Sequence, residues 1–255
     1  GADLYEAHRA FRAVRDAADV DCALKTSMVT DPDGVLNLTE YTQPCMVAFA
    51  AGMTALLAER GIVPDYAAGL SLGEYSALQC AGVFTAPQAI SLAAFRGKAM
   101  AAAAAGRPCG MTAVLGLDRE KLQEACRQAA GAGVVEIANY NCPGQLVIGG
   151  EQAAVDKAAA LAKELGAKRC LPLKVSGPFH PSLLAPAGDA LREKFRETAF
   201  GAMRIPVLFN CLGREMGPED TIPALLEKQV QTSVYMEDPI RRLAELGVDT
   251  IVEIG

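Results

Sequence analysis

The sequence predicts an α/β protein in which a small domain is inserted into a larger one. Apolar, strand-like runs alternate with amphipathic helical segments along the 255 residues. Hydrophobic residues make up 51% of the chain and charged residues 21%, a balance typical of a folded globular protein. The middle of the chain has its own order of strands and helices, with glycine and proline at both of its ends.

The first third of the chain is predicted to be mainly helical. Residues 1–20 have the periodicity of one helix with charges on one face. Thr42 is predicted to be the N-cap of an apolar helix that runs to about Arg60. A short buried strand, 64–70, then enters a tight turn that is followed by two helices. These helices are predicted over 74–80 and 87–105.

The middle of the chain predicts a small domain over residues 107–175. Strands and helices alternate there in the order β-α-β-β-α-β, which is the ferredoxin-like split arrangement. The four strands are predicted over 110–117, 134–141, 145–150 and 168–175, and the two helices over 118–133 and 151–167. Residues 1–106 and 176–255 would then form one discontinuous larger domain.

The last part of the chain returns to the larger domain. Helices are predicted over 183–200, 222–230 and 238–247, and strand-like runs over 206–213 and 248–255. The final run has the composition of a buried strand. Because the chain starts on a helix and stops on this strand, we expect both ends to be trimmed.

Composition disfavours several classes of function. The chain has 24 Lys+Arg and 30 Asp+Glu, and its net charge of −6 argues against nucleic acid or an anionic membrane as the main partner. The apolar run Tyr41–Ala58 contains Gln43 and Pro44, so we interpret it as a buried helix rather than a membrane span. The eight cysteines form no C-x-x-C pair and the chain has two histidines, which predicts no metal site. Most of the cysteines lie in apolar stretches and no signal peptide is recognised, so a cytoplasmic location is expected.

Residues 69–73, GLSLG, match the pattern G-x-S-x-G. A strand is predicted before Ser71 and a helix after it, which is the setting that holds a nucleophilic serine on a sharp turn. Glycines at both ends of the pattern would avoid side-chain clashes across that turn. The helix N-terminus would leave the Leu72 N–H free to stabilise an oxyanion. The alternative is a glycine-rich turn with an incidental serine.

A serine nucleophile needs a base, and only two histidines are present. His8 lies in a charged helical segment and is interpreted as a surface residue. His180 lies between Pro178 and Pro181, whose rings restrict the backbone, and is the candidate base. An ordinary α/β-hydrolase places an acid between the serine and a histidine near the C-terminus. Here 75 residues follow His180 and no motif singles out an acid, which disfavours an ordinary esterase or lipase.

Arg96, in FRGKAM, is a candidate carboxylate-binding residue because a guanidinium can hold a carboxylate at two points. The alternative is a solvated charge on a helix surface.

The chain resembles the malonyl-CoA:acyl carrier protein transacylase family of fatty-acid synthesis. The resemblance is carried, in this order, by the segments GLSLGEYSAL, FRGKAM, NYNCPGQLVIGG, VSGPFH and VEIG.

The resemblance implies an α/β-hydrolase-like large domain with a ferredoxin-like insert. It implies a ping-pong transfer of malonyl from malonyl-CoA to the phosphopantetheine thiol of an acidic acyl carrier protein. The coenzyme A thioester would be a substrate, with no further cofactor, and a monomer is expected. For docking the carrier protein, the candidate basic residues are Lys168, Arg169, Lys174 and Arg204.

Carried over residue by residue, the resemblance makes Ser71 the nucleophile and His180 its base. Arg96 would pair with the malonyl carboxylate, and the Leu72 N–H would be one oxyanion donor. Gln229, in LEKQVQTS, matches a glutamine whose main-chain carbonyl orients the histidine. A carbonyl in that role accounts for the missing acid.

The sequence departs from the family pattern at three places. An N-terminal Gly-Gln loop, which supplies a second oxyanion donor, and a C-terminal PGK-type loop and helix are not in the sequence. The residue before the nucleophile is usually histidine, and here it is Leu70.

Two alternative functions stay open. One is a polyketide-synthase-type acyltransferase, and Phe179 resembles the malonyl-selecting pattern of such enzymes. The other is a catalytically weak module that binds carrier protein.

Overall fold

The computed structural model describes the chain except for residues 19, 21, 29, 32, 33, 176 and 178. The backbone restriction predicted at Pro178 therefore lies outside the described residues. Pro181 is described, with φ −76° and ψ 164°, directly after His180.

The described residues form helices α1 to α11 and strands β1 to β7. The helices are Ala2–Ala7, Arg9–Asp16, Cys22–Ser27, Thr39–Glu59, Gly73–Cys80, Ala86–Ala104, Arg119–Ala129, Gln152–Glu164, Ala185–Arg196, Ile222–Val230 and Glu237–Glu245. The strands are Ala67–Ala68, Cys109–Leu115, Val135–Cys142, Gln145–Glu151, Arg169–Pro172, Val207–Phe209 and Arg214–Glu215. Short 3₁₀ segments are Val35–Asn37, Ala130–Ala132 and Ser182–Leu184.

Two separate sheets make the protein a mixed α/β structure, as predicted. The first sheet has the strand order β1-β6-β7. Strand β1 runs parallel to β6, with Ala67 opposite Val207, and β7 is antiparallel to β6. Parallel neighbours need a long crossover connection, and here the chain between β1 and β6 includes the whole second sheet.

The second sheet has the strand order β3-β4-β2-β5 and is antiparallel throughout. Its elements follow one another as β2-α7-β3-β4-α8-β5, which is the predicted order. Asp118 caps α7 by accepting a hydrogen bond from the Lys121 N–H, as expected for an acidic N-cap. The helices cover one face of this sheet, and strand β5 lies at its edge.

The two sheets have separate cores. The first core includes Tyr75, Leu78, Ile90, Phe209 and Leu226. The second is built mainly between the four-stranded sheet and its two helices; among its members are Leu122, Tyr140, Ile148 and Val155.

A third, small cluster places the chain that follows β5. It consists of Met111, Ala113, Ala138 and Val147, and Phe179 packs against it. Because Phe179 is fixed on the four-stranded sheet, the position at which the chain continues to His180 is also fixed. The two parts of the fold are thus joined beside a candidate base.

Helix α4 is, among the described residues, the one long and apolar enough to cross a membrane by length and composition. In the structure it packs closely against other helices. A Cβ added at Gly97 of α6 would lie 2.7 Å from the Thr39 carbonyl oxygen, and one at Gly52 would lie 2.5 Å from the Phe11 ring. Glycine at these two positions permits the close packing of α4.

Three predictions in the first third differ from the structure. The buried strand predicted over 64–70 is shorter and less buried: β1 is Ala67–Ala68, and both residues are half-buried. The predicted single helix over 1–20 is divided at His8, whose φ of −124° and ψ of 117° are extended. Phe11 packs against Phe49 of α4 just after this break, and tertiary contacts of this kind override local helix propensity. Thr42 is not the N-cap: α4 begins at Thr39, and the Thr42 hydroxyl donates to the Leu38 carbonyl within the first turns.

The predicted buried strand over 248–255 is wrong. These residues form neither helix nor strand, and Ile251 and Val252 are 62% and 57% exposed. An apolar run becomes a strand only where a neighbouring strand accepts its hydrogen bonds, and no described residue pairs with this run.

Candidate active site

Ser71 lies on a sharp turn between β1 and α5, as predicted. Its φ of 53° is left-handed, a conformation that non-glycine residues rarely adopt. A Cβ added at Gly69 would lie 2.1 Å from the carbonyl carbon and oxygen of Gly73, so glycine is required there. A Cβ at Gly73 would meet nothing within 4 Å, and the predicted clash at this second glycine is therefore wrong.

His180 meets Ser71 across 109 residues of sequence. Its Nε2 lies 2.6 Å from Ser71 Oγ, and its Nδ1 lies 2.9 Å from the main-chain carbonyl oxygen of Gln229. The ring is 3% exposed, and the backbone at His180 is also left-handed, with φ 68°. His8, the other histidine, contacts none of these residues in the described structure.

The protonation of His180 follows from its surroundings. Burial lowers its pKa to about 3, with the positive charge of Arg96 acting in the same direction. The ring is therefore neutral at physiological pH. Since the Gln229 carbonyl can only accept a hydrogen bond, Nδ1 carries the proton and Nε2 is left to accept from the Ser71 hydroxyl.

Arg96 is a buried guanidinium, 1% exposed, beside the same serine. Its Nη2 donates to Ser71 Oγ at 3.1 Å and to Gln229 Oε1 at 3.2 Å, and its Nη1 donates to Gln43 Oε1 at 2.7 Å. The alternative of a solvated helix charge is therefore wrong. Burial lowers the pKa of Arg96.

The hydrogen-bond partners of Arg96 are all neutral. Among the described residues, it forms no ion pair, and its Nε has no partner. A buried cation without a paired anion is costly, and a carboxylate bound beside it would lower that cost.

Leu72 supplies the free main-chain donor of the turn. The Ser71 N–H is already donated to Asn210 Oδ1 at 2.5 Å, and no described residue accepts a bond from the Leu72 N–H. This N–H stands at the N-terminus of α5, where helix geometry leaves donors unsatisfied. It is therefore placed to bind a negatively charged oxygen that develops near Ser71.

Three further polar residues complete the site and were not predicted from the sequence. Gln43 reaches Arg96 from α4, Asn210 reaches the Ser71 turn from the loop after β6, and Glu74 lies fully buried in α5. Gln43 and Asn210 each interrupt an apolar run, and that interruption is the signal that could have identified them.

No group of three or more His, Cys, Asp or Glu side chains that could hold a metal occurs among the described residues. The seven described cysteines are unpaired. Burial raises the pKa of Cys126 and of Cys211 to about 12, so both stay protonated thiols.

A serine on a sharp turn, a histidine oriented by a carbonyl and a buried arginine define an acyl-transfer site. Residues 1–255 match the family model described as acyl transferase domain, and the chain belongs to that family. Within it, the chain belongs with the malonyl CoA-acyl carrier protein transacylases. It is 38% identical over 258 residues to that protein from Bacillus subtilis (100% of this chain, 81% of the relative) and 39% identical over 226 residues to that from Haemophilus influenzae (88% and 72%).

Solved structures of these enzymes have the same fold. MCAT from Streptococcus pneumoniae matches with a TM-score of 0.92 and 42% identity, over 99% of this chain and 83% of that one. An acyl-carrier-protein S-malonyltransferase from Burkholderia pseudomallei matches with a TM-score of 0.93 and 37% identity, over 99% and 83%. A malonyl-transacylase in complex with its type II PKS acyl-carrier protein matches with a TM-score of 0.90 and 35% identity, over 100% and 83%.

Proposed function

We propose that this chain transfers malonyl from malonyl-CoA to the phosphopantetheine thiol of an acyl carrier protein, through a malonyl ester on Ser71. The observation that carries the proposal is the contact of one hydroxyl with both a base and a cation. Ser71 Oγ lies 2.6 Å from His180 Nε2 and 3.1 Å from Arg96 Nη2. Membership of the transacylase family supports it.

In the first half-reaction, His180 Nε2 takes the proton of Ser71 as Oγ attacks the thioester carbonyl. The Leu72 N–H stabilises the oxyanion of the tetrahedral intermediate. The C–S bond then breaks, the coenzyme A sulfur leaves with the proton from His180, and malonyl stays on Oγ. In the second half-reaction the carrier thiol gives its proton to His180 and its sulfur attacks the ester carbonyl. The C–Oγ bond then breaks, and Ser71 Oγ takes the proton back from His180.

The Gln229 carbonyl holds the histidine in the tautomer that this cycle needs. It also stabilises the imidazolium formed in each half-reaction, because it accepts the hydrogen bond from Nδ1–H throughout the cycle. This main-chain oxygen takes the place that a carboxylate has in a Ser-His-Asp triad. Its role explains how the base is oriented without a carboxylate bonded to the histidine.

Arg96 would bind the carboxylate of the substrate. In a malonyl thioester, one methylene separates the reacting carbonyl from the carboxylate, so both groups must fit close to Ser71. A guanidinium nitrogen 3.1 Å from Oγ is at that range. The neutral partners Gln43 and Gln229 fix the guanidinium without neutralising it.

The fold proposed for this function is an α/β-hydrolase-like larger domain, residues 1–106 and 176–255, with a ferredoxin-like small domain, residues 107–175. The two sheets with separate cores and the strand order of the four-stranded sheet support this division. The coenzyme A thioester is a substrate in this proposal, no other cofactor takes part, and the enzyme works as a cytoplasmic monomer. Docking of the carrier protein is part of the same proposal.

A polyketide-type acyl carrier protein is the second candidate acceptor. It is favoured by the likeness to the malonyl-transacylase solved with a type II PKS acyl-carrier protein. The chemistry at Ser71 is the same for both acceptors. Measuring kcat/KM with fatty-acid and polyketide carrier proteins would separate the two.

The function is tested by trapping the acyl enzyme. Incubation with malonyl-CoA followed by peptide mass spectrometry should place malonyl on Ser71, and Ser71→Ala should abolish the adduct. Ser76→Ala, five residues further on in α5, is the matched control and should keep full labelling. His180→Ala should slow acylation by about two to four orders of magnitude. Stoichiometric malonylation of folded Ser71→Ala would contradict the proposed function.

A further inference from the structure

Asn210 holds the Ser71 turn at two points. Its Oδ1 accepts the Ser71 N–H at 2.5 Å, and its Nδ2 donates to the Gly69 carbonyl oxygen at 2.7 Å. The two bonds flank Leu70. Asn210 is fully buried and comes from the loop after β6, about 140 residues further along the chain.

The turn requires support from outside because Ser71 has a left-handed backbone. A non-glycine residue in that conformation costs on the order of 1–2 kcal/mol, and it persists where surrounding contacts fix it. On the carbonyl side, Gln229 Nε2 donates to the Ser71 carbonyl oxygen at 2.6 Å. On the amide side, Asn210 is the side chain that fixes Ser71.

Glu74 fixes Asn210 in turn. Its Oε2 accepts the Asn210 N–H at 2.6 Å, and its Oε1 has no partner. Glu74 is the second residue of α5. The helix that follows the Ser71 turn therefore carries the side chain that holds Asn210 against this turn. Burial raises the pKa of Glu74 to about 8, against the lowering effect of the Asn210 N–H and of Arg96. The hydrogen bond from the Asn210 N–H gives this buried carboxyl a structural role.

We propose that Asn210 is a positioning residue that holds Ser71 Oγ in line with His180, and that Glu74 fixes Asn210 in the orientation this requires. This inference rests on the proposed role of Ser71 as nucleophile. It also explains why the Leu72 N–H serves the oxyanion: the Ser71 N–H is committed to Asn210.

The test measures acylation of Ser71 in full-length Asn210 variants. Asn210→Asp keeps the size and the acceptor but loses the donor to Gly69, and Asn210→Ala loses both bonds. Each should lower kcat with malonyl-CoA, by about 100-fold for alanine, because small misplacements of a reacting group have effects of that order. The KM should change little, since Arg96 and its amide partners Gln43 and Gln229 are unchanged.

A fluorophosphonate supplies an independent readout of the same serine. The Ser71 Oγ–P bond forms, fluoride leaves, and His180 takes the hydroxyl proton. This probe carries no malonyl group, so its rate reports the nucleophile alone. Cys211→Ala is the matched control: it alters the neighbouring buried side chain, which contacts Leu225 rather than the turn, and should keep the wild-type rate per folded molecule.

A second pair of variants keeps the test decisive if Asn210 variants do not fold. Glu74→Gln retains an oxygen that can accept the Asn210 N–H and Glu74→Ala does not, so acylation should be slower in Glu74→Ala than in Glu74→Gln by about tenfold or more. Wild-type rates in folded Asn210 variants, or equal rates for the two Glu74 variants, would overturn the inference. Labelling of Ser71→Ala by the fluorophosphonate would instead overturn the proposed function.

Discussion

Arg96 is held by amide oxygens rather than by a carboxylate, and this determines which acyl group the site should prefer. Without bound substrate, the guanidinium is a buried charge with neutral partners. A malonyl carboxylate supplies the missing anion, and an acetyl group does not. Selectivity for malonyl is therefore expected to depend on this one side chain.

Arg96→Ala should lower kcat/KM for malonyl-CoA by an amount equivalent to about 2–5 kcal/mol, as for a broken buried charge pair. Acetyl transfer should change little, because acetyl never paired with the arginine. The ratio of the two kcat/KM values should move toward acetyl by at least about tenfold. Lys98→Ala, an exposed residue on the same helix, is the control, and an unchanged ratio in Arg96→Ala would assign carboxylate recognition elsewhere.

The residues that sequence could predict are those with a rare chemistry or a local motif. Ser71 has a motif, and His180 is one of two histidines. Gln229 was predicted only through family resemblance, because a main-chain carbonyl leaves no signature in the side chain. Gln43 and Asn210 were missed because their partners lie 53 and 139 residues away, and their contacts exist only once the helices and strands have packed.

At the scale of secondary-structure elements, the two glycines of G-x-S-x-G differ. Gly69→Ala would press a Cβ against the backbone of Gly73 and should destabilise the fold by about 1–3 kcal/mol, with loss of acylation. Gly73→Ala has open space, lies at the start of α5 and should leave stability unchanged or raise it by up to about 1 kcal/mol. Urea unfolding of both variants tests this, and equal losses at both positions would contradict it.

Strand β5 is the element on which carrier-protein docking can be tested. Lys168, Arg169 and Lys174 are exposed there or beside it, and Arg204, which is also exposed, packs over Gly82 just after α5, away from this strand. Changing the first three to glutamate should raise KM for an acidic carrier protein, leave KM for malonyl-CoA unchanged and flatten the salt dependence. Lys157→Glu, exposed on α8, is the control. Equal effects on both substrates would reject this surface.

The accuracy of the predicted elements depended on whether their signals were local. The helix Ile222–Val230 was predicted at its observed bounds because proline and a continuous amphipathic pattern mark it. The strand predicted over 248–255 failed because pairing with another strand is not a local property. The N-cap of α4 was misplaced by four residues, at Thr42 instead of Leu38, because the Thr42 hydroxyl donates back to the Leu38 carbonyl instead of capping.

At the scale of the whole molecule, two buried groups of the site should lower the free energy of unfolding, one as the pH falls and the other as it rises. The pKa of His180 is about 3 in the folded chain against an ordinary 6.5, so only the unfolded chain takes up this proton as pH falls from 6.5 to 3. The pKa of Glu74 is about 8 against an ordinary 4.5, so only the folded chain keeps this proton as pH rises from 4.5 to 8. His180 therefore lowers the free energy of unfolding on the acidic side, and Glu74 lowers it on the alkaline side.

Glu74→Gln separates these two effects. The amide cannot ionise, so the variant should lose the alkaline decline and keep the acidic one. The difference in free energy of unfolding, variant minus wild type, should rise by about 1–3 kcal/mol between pH 5 and pH 8, since each pKa unit corresponds to about 1.4 kcal/mol. Urea unfolding across this range measures it, with the exposed Glu219→Gln as the control that should track the wild type. A difference that stays constant or falls with pH would show that Glu74 is ionised in the folded protein, and its burial would then depend on the charge of Arg96 rather than on a retained proton.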